Sequence, residues 1–204
     1  MRIIYIILLC FSCLASAYAG SSIPGQLTIS TGSISVSYSE NDNIVQDSSS
    51  TGVAPFSGTA TALPLTLGYE YFPNLQRSYF FRATGPLMGS TPDRYFSGSG
   101  GVNFFFGKLA SQATVRDLNF EMKLIPKLRY YAGPAIGVGY LVYNTTTAAK
   151  NDILFELGGQ AGAIYTLNSK WSLKGELGFS RAIGALVSAT VIKISLGATY
   201  TVGP

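Results

Sequence analysis

The sequence predicts an all-β fold: an eight-stranded antiparallel up-and-down transmembrane β-barrel that follows a cleaved N-terminal signal peptide. Three observations carry this. An apolar opening ends at a small-residue site, Ala17-Tyr18-Ala19. Most of the chain beyond it alternates apolar residues with polar or small ones at a period of two. Charged residues make up only 12% of the chain, where a soluble globular domain carries roughly 25%.

The export signal has a thin basic start at Arg2, an apolar region from Ile3 to Leu14, and cleavage expected before Gly20. This divides the chain into a signal peptide, 1–19, and a barrel domain, 20–204. An uncleaved anchor is the alternative, but the apolar run is shorter than the roughly 20 residues of a spanning helix. Both cysteines, Cys10 and Cys13, fall inside the signal, and neither sits in a good lipoprotein site. The mature part therefore has no thiol for a disulfide, a metal or a nucleophile. Its charge is +3, being the chain's +4 less Arg2, too little to argue for a nucleic-acid partner. No later segment is apolar for long enough to cross a membrane as a helix. A closed barrel, which satisfies every backbone group between strands, is the remaining way across.

Eight strands follow in order. The first, 26–40, is untidy: Leu27 and Ile29 have one parity, Ile34, Val36 and Tyr38 the other, and a bulge near Gly32 is the expected reconciliation. The second, 59–72, alternates most strongly, with Leu63, Leu65, Leu67, Tyr69 and Tyr71 against Thr66, Gly68 and Glu70. The third, 77–88, sets Tyr79, Phe81 and Ala83 against Ser78, Arg82 and Thr84, and the fourth, 94–107, ends in three aromatics, Phe104 to Phe106. In the fifth, 127–143, Leu128, Tyr130, Ile136, Val138 and Tyr140 oppose Arg129, Tyr131 and a run of glycines. The sixth, 153–167, the seventh, 170–182, and the eighth, 187–202, repeat the pattern, with Glu156, Lys174, Glu176 and Lys193 on the non-aliphatic parity.

The connections alternate in length, as an outer-membrane barrel requires. Tight turns at Pro73 to Gln76 and Asn168 to Lys170 belong at the periplasmic end, and longer polar loops at Asn41 to Ser57 and Asn144 to Asp152 at the outer end. Residues 108–126 leave two readings open. They form a long periplasmic turn, or they hold the true fourth strand and 94–107 belongs to an extended outer loop.

A soluble barrel also alternates, but it keeps large residues inside and charge outside. Here the non-aliphatic parity is mostly Gly, Ser and Thr with single charges, which suits a narrow lumen. Tyr69, Tyr71, Tyr79, Phe104, Phe106, Tyr165 and Trp171 near strand ends form the expected aromatic girdle. Charges in so narrow a lumen must be paired. Glu70, Arg82, Arg129, Glu156, Lys174, Glu176 and Lys193 are therefore read as one polar network, with Glu70 diagonal to Arg82 and Glu176 close to Lys193. The chain contains no histidine, no serine in a nucleophile-elbow motif and no distinctive carboxylate pair, so the expectation is a protein that is not an enzyme. Glu40, Asp42 and Asp47 match no calcium-loop spacing, and no metal or other cofactor is expected.

The last strand, Ser195-Leu196-Gly197-Ala198-Thr199-Tyr200-Thr201-Val202, resembles the assembly signal of bacterial outer-membrane barrels, with Ser195, Gly197, Tyr200 and Val202 at its marked positions. It departs from that pattern in having no terminal Phe or Trp and in adding Gly203-Pro204. In layout the mature length resembles the outer membrane protein A-type transmembrane barrel family. The resemblance implies residence in a Gram-negative outer membrane, a periplasmic N terminus, and recognition by the barrel assembly machinery. The expected function is a structural or surface-exposed barrel with a packed polar lumen, a monomer contacting outer-membrane lipid and presenting its outer loops. A narrow channel or conduit for small apolar molecules is the alternative, and a soluble exported binding barrel stands behind it.

Overall fold

The computed structural model describes residues 25–41, 56–74, 76–89, 93–107, 113–117, 120–124, 126–145 and 148–202. The predicted signal peptide and its cleavage site lie outside them. In chain order the strands are β1 (Gly25–Glu40), β2 (Ser57–Tyr71), β3 (Arg77–Gly89), β4 (Arg94–Phe106), β5 (Ala113–Asp117), β6 (Phe120–Leu124), β7 (Leu128–Asn144), β8 (Ala149–Thr166), β9 (Trp171–Gly184) and β10 (Val187–Val202). Eight of them close a barrel in the order β1-β2-β3-β4-β7-β8-β9-β10, every neighbour antiparallel, and β10 pairs back to β1.

Following pairs around the wall from Ser188 leads through Ile183, Phe155, Val138, Gly98, Ala83, Leu67 and Ile29 to Ala198, ten residues further along β10. That stagger inclines the strands by roughly 40°, so each residue adds about 2.5 Å of height. One end of the barrel carries Gly25, Val202 and the turns after β2, β4 and β8. Two of these turns are built the same way. Asn74 Oδ1 accepts the N–H of Gln76 at 3.0 Å and of Arg77 at 2.9 Å, and Asn168 Oδ1 accepts those of Lys170 and Trp171, both at 2.9 Å.

The open question over 94–107 is decided: β4 is a wall strand paired on both sides, to β3 and β7. Within 108–126, β5 and β6 pair only with each other, from Ala113↔Leu124 to Asp117↔Phe120, in the connection at the end that carries the termini.

Two expectations are corrected. No bulge lies at Gly32, because the β1–β10 ladder runs unbroken from Gly25↔Val202 to Glu40↔Val187. Even-numbered residues of β1 therefore face inward throughout, first Gln26, Thr28 and Ser30, then Ile34, Val36 and Tyr38. The strand keeps its side while the lumen changes character. The register shift falls instead between Leu63 and Pro64, opposite Pro86 to Met88 of β3, where proline has no N–H to give the ladder. The Pro64 carbonyl accepts a hydrogen bond from Thr31 Oγ1 at 2.8 Å.

The second correction concerns the loop expected at Asn144 to Asp152. The β7–β8 ladder continues to Asn144↔Ala149, leaving a turn in which Thr145 N–H donates to the Ala148 carbonyl at 2.9 Å. Asp152 faces inward, and its carboxylate accepts the N–H groups of Leu186 at 2.8 Å and Val187 at 3.0 Å, bracing the tight turn between β9 and β10. Of the other expected outer loop, 42–55 lies outside the described residues.

The barrel interior as candidate functional site

Three layers fill the lumen. At the end carrying the termini, Phe72, Phe105, Tyr131 and Ile164 form an aromatic floor, with ring centroids 5.8 Å apart for Phe72 and Phe105 and 5.5 Å for Phe105 and Tyr131. Gly162 makes room for this: a Cβ there would stand 2.5 Å from the Tyr131 hydroxyl.

Above the floor lies the ionic layer, and all seven charges singled out in the sequence face into the lumen. Glu70 on β2 accepts from Lys174 Nζ at 2.7 Å, from Asn103 Nδ2 at 2.7 Å and from the Ser78 hydroxyl. Glu176 on β9 is gripped by both terminal nitrogens of Arg82, one at 2.7 Å, and by the Tyr131 hydroxyl at 2.5 Å. Gln160 links the groups, accepting from Arg82 at 2.8 Å and donating to Asn103 Oδ1 at 2.7 Å. Arg82 also lies over the Phe80 ring and Lys174 over that of Tyr131, 4.4 Å and 4.8 Å from the centroids. Higher up, Glu156 accepts from Tyr95, from Ser180 at 2.9 Å and from Lys193 at 3.3 Å, while Lys193 also donates to Ser97 at 3.0 Å.

The partners differ from those the hairpin geometry suggests. Glu70 and Arg82 are diagonal neighbours, since Arg82 pairs with Gly68 and Phe80 with Glu70, yet each reaches across the lumen to β9 for its ion. Lys193 stands diagonal to Glu176 but bridges to Glu156 on β8. A narrow barrel brings opposite walls as close as adjacent strands. Arg129 is buried on β7 at the level of the floor, 4% exposed. Between the two carboxylate clusters lies a cavity of about 60 Å³, bordered by Thr28, Ser30, Thr66, Thr84, Ser99 and Lys193, with room for about two waters.

The third layer was not foreseen. At the outer end the lumen is filled by Ile34, Val36, Tyr38, Ala60, Tyr95, Leu141, Tyr143, Leu154, Ala182, Val187, Ala189 and Val191, with Phe56, Ala62 and Leu186 packed against them. Tyr38 and Tyr143 are 5.2 Å apart by centroid, and the Tyr38 hydroxyl donates to Asp93 at 2.8 Å. The signal for this plug was the change of apolar parity within β1, which the sequence offered and the bulge explained away.

On the outer wall, Tyr69, Tyr71, Tyr79, Phe104, Phe106, Tyr165 and Trp171 all point outward near the end that carries the termini. Tyr130 and Tyr200 join them, with Trp171 edge-on to Tyr200 at 5.0 Å. Of the last-strand positions, Ser195 and Gly197 face in, and Tyr200 and Val202 face out, on the strand that closes the barrel.

No protein-family model matches the sequence, and no curated protein does. Among solved structures the chain is similar to Neisserial surface protein A, with a TM-score of 0.55 and 13% identity over 88% of this chain and 97% of that one. The attachment invasion locus protein of Yersinia pestis aligns with a TM-score of 0.45 and 14% identity over 87% of this chain and 99% of that one. The N-terminal β-barrel domain of Pseudomonas aeruginosa OprF aligns at 0.44 and 11%, over 83% and 97%. The first likeness shows the fold: this chain has the architecture of a small eight-stranded outer-membrane barrel.

Proposed function

We propose that the chain is exported by its N-terminal signal and resides in a Gram-negative outer membrane as a closed, non-conducting barrel with a structural and surface-presenting role. Support for membrane residence comes from the wall: large apolar side chains such as Ile136, Phe155, Leu157, Phe179 and Leu196 are more than half exposed outward, above an aromatic girdle. In water such a belt would far exceed the apolar patch that a soluble monomer tolerates.

The observation that carries the closed reading is the plug. Leu141, Tyr143, Leu154 and Val191 are each 0% exposed, which supports a dry layer between the ionic groups and the outer end. A channel would also need its charged groups free to exchange partners with ions. Here Glu70, Glu156 and Glu176 are each held by at least three donors. The same fixed sets of donors support a structural role for these carboxylates over a catalytic one. The closing strand β10 is the segment offered to the barrel assembly machinery.

The test is a planar-bilayer recording beside a gel. Folded protein is expected to migrate faster unheated than boiled and to show no discrete conductance. Steady single-channel steps from such folded protein, abolished by Ser99→Trp in the lumen, would overturn the closed reading. Solubility without detergent and migration indifferent to boiling would overturn the membrane reading.

A further inference from the structure

The connections at the end carrying the termini are unequal. After β2 and β8 the chain crosses in 72–76 and 167–170, but after β4 it runs from 107 to 127 and pairs with itself on the way as β5 and β6. A barrel of this kind needs only a short turn there. A two-stranded hairpin in water is at best marginally stable by itself, so strand pairing outside the wall calls for a surface on which the hairpin lies.

Register and sequence divide β5–β6 into two unlike faces. Residues directly opposite share a face and alternate along each strand, which puts Ala113, Val115, Met122 and Leu124 together with Phe120, and Thr114, Arg116, Glu121 and Lys123 on the other side. Arg116 stands opposite Glu121, so Lys123 is the net charge of the polar face. Asp117 ends the apolar face at the tip. Both ends of the connection are fixed at the level of the aromatic girdle. It leaves the wall after Phe106, which is exposed and paired with Tyr130, through Gly107, the residue with a positive φ, 116°, among the described residues. It returns at Lys127, whose carbonyl accepts the Thr166 N–H at 2.8 Å, and passes directly into outward-facing Leu128 opposite Tyr165. Leu124 precedes Lys127 closely enough in sequence that the chain between them spans at most about 11 Å. The apolar face of the hairpin therefore begins within that distance of the edge of the apolar belt.

The rim around the base of the hairpin is basic. Arg77 lies over the Phe104 ring, 5.6 Å from its centroid, Lys127 and Lys170 are exposed beside the girdle, and Lys123 joins them from the hairpin. Outside the lumen, the acids at this end among the described residues are Asp117 and Glu121, the second of them opposite Arg116. A hydrated anionic polymer would match these charges and leave the apolar face uncovered. The inner leaflet matches both, with acyl chains at the depth of the girdle and phosphates just beyond it.

We propose that β5–β6 is an interfacial anchor that lies on the inner leaflet beside the barrel, its apolar face on the acyl chains, with Arg77, Lys123, Lys127 and Lys170 taking the phosphates of anionic phospholipid. The proposal rests on the membrane reading above and on the periplasmic placement of the end that carries the termini. An amphipathic element in this position sinks its apolar face about 5–10 Å into the boundary between headgroups and chains, which is the depth that Phe106 and Leu128 already mark on the wall. Cations at the rim bind phosphate through charge-assisted hydrogen bonds. The hairpin thus gives the barrel a hold on the membrane outside its own wall, on the side of β4 and β7.

The test uses the full chain, with Trp171→Phe removing its single tryptophan, in vesicles of phosphatidylcholine and phosphatidylglycerol. Met122→Trp, and Val115→Trp as a second reporter on the same face, are expected to be quenched by lipid brominated near the top of the acyl chain and shielded from aqueous acrylamide. Thr114→Trp, on the polar face, should show the reverse. At equal mole fraction, brominated phosphatidylglycerol should quench Met122→Trp more than brominated phosphatidylcholine does, and the enrichment read from that difference should fall roughly fivefold for each of Lys123→Gln and Lys127→Gln. Acrylamide quenching as strong for both apolar-face reporters as for Thr114→Trp would sink the proposal and leave the face to a periplasmic partner. Shielding of both reporters from acrylamide and from brominated lipid alike would sink it by seating the hairpin against the barrel's own mouth. Equal quenching by the two brominated lipids would overturn the assignment of anionic phospholipid. Failure of the wild type to show heat-dependent migration in these vesicles would instead overturn the membrane reading, and the anchor with it.

Discussion

Above the level of Lys193 the barrel is filled as a soluble core is filled, with Ile34, Leu141, Leu154 and Val191 interdigitating in the dry; below it the same narrow space holds carboxylates, ammoniums and guanidiniums bonded wall to wall. The two halves are held by interactions that respond differently to damage. Apolar packing loses stability in proportion to the volume removed, because neighbours relax only partly into the space. An ion network loses more from one deletion than from two matched ones, because a single deletion strands a charge away from water.

The largest effect is therefore expected from Glu70→Ala. It removes the acceptor of Lys174, Asn103 and Ser78 together, in a side chain that is 2% exposed. A loss of about 4 kcal/mol is expected, read from urea unfolding of the folded band in lipid vesicles. The double variant Glu70→Leu with Lys174→Met should recover most of it, since paired removal leaves no stranded ion. A double variant as unstable as Glu70→Ala would show that the ionic half is held by packing, and the contrast between the halves would collapse.

Next in size is Leu154→Ala in the plug, where the side chain is fully buried between Tyr143, Ala182 and Val187 of the same cluster. A loss of about 3 kcal/mol is expected from the transfer and cavity terms together. No second substitution that deletes a further plug side chain should rescue it. The same variant sharpens the functional reading, because a cavity in the dry layer should leave the bilayer silent so long as Tyr38, Tyr143 and Leu141 still close the lumen. Discrete conductance from Leu154→Ala would mean that one side chain, not a layer, makes the seal.

How far each half was legible in the sequence follows from the same contrast. The ionic half could be read because charges are rare in this chain and their parity is unambiguous: Glu156 and Lys193 each sit between two apolar neighbours of the opposite face, and Lys174 and Glu176 lie between Leu173 and Leu177 with only Gly175 separating them. Their partners could not be read. Parity fixes the face, whereas the choice of Glu176 for Arg82 depends on closure of the barrel and on which walls then face each other. The plug was misread for the converse reason. In β1, an apolar lower outside and an apolar upper inside give two parities on one straight strand, and periodicity alone cannot tell that from a bulge. The stretch 94–107 was ambiguous because Val115 to Leu124 also alternates in part and competed with it for the place of fourth strand, and only the pairing of β4 with both β3 and β7 shows 94–107 to be wall.

The smallest expected effect separates the halves most finely, because it concerns a polar atom in the apolar one. Tyr143 is 0% exposed and its hydroxyl has no hydrogen-bond partner among the described residues, while Tyr38, its ring tilted against that of Tyr143, donates to Asp93 at 2.8 Å. A buried hydroxyl without a partner has lost water and gained nothing, so Tyr143→Phe should be neutral or stabilise by up to about 1 kcal/mol. Tyr38→Phe leaves the ring contacts in place but deprives Asp93 of a donor, and should cost about 1 kcal/mol. Two tyrosines in one cluster, altered by the same single atom, are thus expected to move the urea midpoint in opposite directions or one of them not at all. Equal losses from both would place a bonded, hydrated group inside the plug at Tyr143, and the outer half of the lumen would then no longer differ in kind from the inner one.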